Sequence, residues 1–116
     1  MLDVEERSIT EIEESSGVDL YADIFMNGII ERSMQSYAQI DVLDSASNFI
    51  SQFTFLVPGC TFYAIYSNLS DTNSIAIVAG SGGTILGNNV VSPNSTVHIY
   101  IYITDSVSPA YTCYLK

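Results

Sequence analysis

The alternation of apolar and polar positions is strictest in Val97-His-Ile-Tyr-Ile-Tyr-Ile103. An extended chain puts Val97, Ile99, Ile101 and Ile103 on one side and His98, Tyr100 and Tyr102 on the other. That run belongs to a strand expected over 96–104, and further runs of the same kind span 60–66, 74–79, 84–86 and 111–115, separated by Gly80-Ser-Gly-Gly83, Gly87-Asn-Asn89, Pro93 and Pro109. Strands at such short spacing, with prolines only in the gaps, predict a mainly β protein. The expected form is a compact antiparallel β-sandwich, jelly-roll-like, with one or two short helices at its N-terminal side.

The period changes earlier in the chain. Val18, Tyr21, Ile24 and Phe25 fall at helical spacing, and Asn27-Gly28 supplies a left-handed stop. Residues 35–40 alternate like a strand. Asp44 is then the expected N-cap of a helix carrying Ala46, Phe49, Ile50 and Phe53 on one face, although 53–57 also fits a strand. Residues 3–14 are acidic and weakly patterned, which suits a helix or an arm that orders against something else. The organisation expected is an acidic arm over 1–17 and a β domain over 18–116.

Charge sharpens this division. The 116 residues carry 13 acidic and 3 basic side chains, a formal net charge of -10. Asp3, Glu5, Glu6, Glu11, Glu13, Glu14, Asp19 and Asp23 face only Arg7 in the first part, so nucleic acid is excluded as a partner by repulsion. From Ser45 onward the ionised side chains are Asp71, Asp105 and Lys116 alone. A folded surface is normally about a quarter charged. A segment so neutral hides surface in other copies of itself or presents Ser, Thr, Asn and Tyr. The apolar runs fall far short of the roughly 20 residues that span a bilayer, and the start lacks the basic residues of a secretory signal. A chain made in the cytoplasm, without a membrane partner, is the expectation.

Candidate chemistry is sparse. Gly80-Ser-Gly-Gly-Thr84 lacks the lysine and the following helix of a phosphate loop. Glu11, Glu13 and Glu14 suit a solvated face better than a metal cluster, and Asp41 and Asp44 resemble paired acids only in spacing. Cys60 and Cys113 read as buried apolar thiols, with a disulfide between strands as the other option. With one histidine and no nucleophile elbow, an enzyme is not expected, and no catalytic, cofactor or metal residues are expected. The face of His98, Tyr100 and Tyr102 has three readings: an inter-subunit surface, cover for a second sheet, or a platform for sugar rings. Asp71, Asn73, Asn88, Asn89 and Ser106 are candidate contacts in exposed loops. Asn68-Leu-Ser70 and Asn94-Ser-Thr96 match glycosylation acceptors.

Asp44, Ala46, Phe49 and Ile50, then Pro58-Gly59 and Phe62, then Ile75, Ile77, Gly80 and Gly82, then Gly87-Asn88 and the ending Ala110-Tyr-Thr-Cys-Tyr114 together form a recognisable order. It resembles a small β domain of virion structural proteins of tailed marine phages and large algal and protist DNA viruses. The resemblance covers about residues 18–115, and departs in the penultimate strand, where such domains often carry Arg. It implies a non-enzymatic capsid decoration or fibre-head module, a homotrimer on the virion surface, synthesised in the host cytoplasm. Its N-terminal arm would attach to the major capsid protein or a tail or fibre protein. The alternative is a carbohydrate- or receptor-binding adhesive module that holds a host glycan.

Overall fold

The computed structural model describes residues 8–53 and 57–116. Its first half repeats one motif, two strands and then a short helix. The first turn holds β1 (Ile9–Glu13), β2 (Asp19–Leu20) and α1 (Ala22–Asn27); the second holds β3 (Ile29–Ser33), β4 (Gln39–Leu43) and α2 (Ala46–Gln52). A third begins with β5 (Thr61–Asn68) and β6 (Ile75–Val78). The chain closes with β7 (Gly83–Leu86), β8 (Val90–Val91), β9 (Ser95–Asp105) and β10 (Ala110–Leu115).

Equivalent strands of successive turns stack in parallel. Ile9 pairs with Ile29 and Ile29 with Ile65, while Leu20 pairs with Leu43 and Val42 with Val78. The result is a six-stranded sheet in the order β1-β3-β5-β9-β10-β7 facing a four-stranded sheet in the order β2-β4-β6-β8. The β5–β9, β9–β10 and β6–β8 pairs are antiparallel, and β10–β7 is parallel.

The fold is therefore mainly β with two short helices, as expected, but its sheets are mixed and not those of an antiparallel jelly roll. Alternation reports which side of a strand is buried and says nothing of the neighbour's direction. Parallel neighbours need a long return connection, here supplied by the helical segments. Several early elements also fall elsewhere than the periodicity suggests. Ile9–Glu13, within the acidic segment, is a strand, and the helix expected from Val18 starts only at Ala22. The strand expected over 35–40 is β4, which starts at Gln39. Gly28 caps α1 at φ 85°, the left-handed stop that was expected. The cap of α2 is Ser45, whose hydroxyl accepts from the Asn48 amide at 3.1 Å. Asp44 does a different job: its carboxylate accepts from the Ala22 amide at 2.7 Å and the Ser45 amide at 2.7 Å, joining the starts of both helices. The alternative strand over 53–57 falls largely on residues 54–56, outside the described residues.

Leu20, Ile30, Leu43, Phe49, Ile75, Ile77, Ile99, Ile101 and Ile103 fill the space between sheets and helices. Phe25 and Phe49 meet edge to face at 5.2 Å, so the two helices stack as the strands do. Phe49 also meets Tyr111, whose hydroxyl donates to the Asp44 carbonyl at 2.9 Å and accepts from the Gly80 amide at 3.0 Å. The Tyr111 ring lies so close to Gly83 that a Cβ there would sit 2.2 Å from it. The glycine run is thus a bed for a tyrosine.

One charged pair lies wholly inside. Arg32 Nε donates to Asp41 Oδ2 at 3.1 Å, both side chains fully buried. Asp41 also accepts from the Tyr66 hydroxyl at 2.5 Å and the Val18 amide at 3.1 Å. The remaining guanidinium nitrogens donate to the carbonyls of Glu14 at 2.6 Å, Ser33 at 3.2 Å and Ser16. Removing two charges from water is costly unless each is paired and bonded. Here a single guanidinium fastens the β1–β2 turn to β3, and through Asp41 to β4 and β5.

Candidate functional site

The six-stranded sheet turns one face to the core and the other outward. On β9, Ile99, Ile101 and Ile103 are fully buried, His98 and Tyr100 are half-buried, and Tyr102 is exposed. Paired residues present their side chains on the same side, so the register gives the outer face row by row. One row is Tyr63, Tyr100, Tyr114 and Leu86; the next is Thr61, Tyr102, Thr112 and Thr84. A third is Ile9, Ile29, Ile65 and His98, with Lys116 opposite His98 and backbone hydrogen bonds of 2.7 and 3.0 Å between them.

Aromatic rings therefore converge. Tyr63 lies 5.4 Å from Tyr100 and 5.7 Å from His98, and His98 lies 5.9 Å from Tyr100. Next to them Thr61, Tyr100, Tyr102, Tyr114 and Lys116 line an open hollow of about 380 Å³. Among the described residues no sheet covers this face: Tyr63, Tyr102 and Tyr114 are 40%, 38% and 38% exposed. Of the three readings of the His98, Tyr100 and Tyr102 face, cover for a second sheet is thereby removed. Each tyrosine offers an apolar ring and a polar tip, the combination that binds partners with one wet and one dry side. Among the described residues the His98 imidazole has ring neighbours and no side-chain hydrogen bond.

The sequence placed His98, Tyr100 and Tyr102 together, and the structure adds Tyr63, Tyr114, Thr61 and Lys116. The alternation inside 60–66 and 111–115 was the available signal for the additions, but only the register shows which rows they join. The candidate loop residues do not form one site. Asp71 and Asn88 are exposed, whereas Asn73 donates to the Gln35 carbonyl and Asn89 to the Ile77 carbonyl, holding the fold. Ser106 lies at the far end of β9 from the 69–74 loop, eleven strand residues away. Asp41 and Asp44 point to different partners. Asn68 is 1% exposed and donates to the carbonyls of Asn73 and Val91, so its acceptor triplet is closed to a glycan in the folded chain.

Elsewhere, Cys60 and Cys113 are free thiols, and burial pushes the Cys113 thiol from 9.0 up to about 12. Burial likewise raises Tyr111 from 10.0 to about 12. Tyr66 is driven higher still, by burial first and then by the Asp41 carboxylate that accepts from it. Among the described residues no three His, Cys, Asp or Glu side chains are grouped to hold a metal ion, and no helix is long and apolar enough to cross a membrane.

The class these observations define is a mainly β protein of two mixed sheets, wound in parallel at one end, with an open aromatic face. No family model matches the chain, and no curated protein or solved structure does.

Proposed function

We propose that this chain is a non-enzymatic attachment module of the fibre-head kind found on virion surfaces, and that its working surface is the outer face of the six-stranded sheet. The aromatic hollow supports this reading. Five side chains from β5, β9, β10 and the residue after it frame a concave surface, and a rigid sheet fixes their spacing before any ligand arrives. Preorganised rings lose little rotamer freedom on binding, so their contact area converts to affinity efficiently. The N-terminal segment would hold the module to a capsid, tail or fibre protein. The test is a glycan array with the full chain, followed by titration of any hit against tyrosine ring protons in NMR. Binding that shifts Tyr100, Tyr102 and Tyr114 is the expected result. Array silence, or binding that leaves these rings unmoved, overturns the proposal.

A second reading rests on a different part of the same face. Ile9, Ile29 and Ile65 form an aliphatic row, and Ile9 is 53% exposed. Such a row suits packing between copies, including the homotrimer of a decoration protein. Light scattering separates the two: an oligomer that Ile65→Glu dissociates would place the copies on this row.

A further inference from the structure

We infer that the aromatic hollow selects a carboxylated sugar, such as a uronic or sialic acid, over a neutral one; this rests on the attachment reading above. The observation is the placement of positive charge. Two cationic side chains occur among the described residues: Arg32 is fully buried on Asp41, and Lys116 is exposed at the hollow. The one accessible described cation of an acidic molecule therefore stands among tyrosines.

Its position is imposed by the sheet. The backbone of Lys116 exchanges hydrogen bonds with His98, and strand alternation puts its side chain on the same side as Tyr114. No described side-chain carboxylate lines the hollow, the main-chain oxygen of Lys116 is taken up by the His98 amide at 2.7 Å, and the Lys116 side chain makes no ion pair among the described residues. The acidic groups of the outer face, Glu11, Glu13 and Glu31, sit on β1 and β3, beyond the row of Ile65. An ammonium without an ion-pair partner at the rim of such rings offers an anion a charge-assisted hydrogen bond.

The rest of the hollow describes the other half of the ligand. Tyr100, Tyr102 and Tyr114 present ring surface for the C–H face of a sugar, and Thr61 and the tyrosine hydroxyls present donors and acceptors for its hydroxyls. The volume of about 380 Å³ lies at the small end of ligand sites, roughly 300 to 1,000 Å³, and suits a mono- or disaccharide. A stacking surface with a single cation at its rim matches a ring with a single carboxylate.

The experiment titrates the full chain with sodium glucuronate, sodium galacturonate and N-acetylneuraminate, with methyl glucoside and methyl galactoside as neutral counterparts and sodium acetate as a bare carboxylate. Tyrosine ring shifts report binding. At least one acid sugar should bind more tightly than the neutral sugars and acetate. Lys116→Met should weaken it roughly tenfold or more, and Lys116→Arg should keep most of the affinity. Circular dichroism of both variants should match the parent. Neutral sugars that bind as tightly as the acids, or Lys116→Met without effect, would overturn the carboxylate preference and leave the attachment reading standing. Acetate binding as tightly as the acid sugars would overturn it too, since the rings would then contribute nothing. No shift with any probe would remove both.

Discussion

Arg32 illustrates how much one side chain can organise. Its guanidinium reaches Asp41 and three carbonyls from a fully buried position. Arg32→Met leaves a carboxylate unpaired in the core and should cost about 3–5 kcal/mol in urea unfolding. Adding Asp41→Leu to that variant should recover part of the loss, because the stranded charge disappears. Cys113 and Tyr111 carry a second expectation. Each holds its proton to about 12 in the fold, against 9.0 and 10.0 ordinarily, because burial disfavours the anion. The unfolded chain releases these protons first. Stability should be full below about pH 9 and fall as the pH rises toward about 12. Urea midpoints across that range measure the decline, and Cys113→Ala should make it shallower.

At the scale of elements, in-register parallel pairing has a cost as well as a benefit. It sets Glu11 beside Glu31 on the outer face of β1 and β3, where like charges repel. Glu31→Gln should raise stability by about 0.2–1 kcal/mol, read from the thermal midpoint. The same strands explain what could be read from the chain beforehand. The strands of the second half except the two-residue β8 were legible because β9 alternates strictly and glycine or proline marks most gaps. Gly28 and the start of α2 were legible to within a residue. The parallel half was not, because β1 and β2 are short and β1 is acidic, and Glu11 and Glu13 disguise a strand as a solvated arm. Asp41 resembled a paired acid with Asp44 only in spacing, and its actual partners, Arg32 and Tyr66, lie 9 and 25 residues away. The aromatic face was half legible: β9 declares its three members, while Tyr63, Tyr114 and Lys116 join only through register.

The whole molecule is a slab whose Cα extents are 41 × 40 × 21 Å, thick enough for two sheets and their helices. Its large sheet is parallel at both ends, β1–β3–β5 and β10–β7, and antiparallel in the middle, where β9 pairs with β5 and β10. Removal of residues 1–17 should not be neutral, because the carbonyls of Glu14 and Ser16 that receive Arg32 leave with them. A lowered urea midpoint in that truncation is the expected outcome, and an unchanged one would show that water replaces both acceptors. The guanidinium clamp also orders events in time. Its acceptors are complete only when the 14–16 turn, β3 and β4 have met, so the turn that follows β1 is pinned only after the later strands are in place. In hydrogen exchange the β1 amides over 9–13 should open well before those of β9 at 99–103, a segment fastened last and released first.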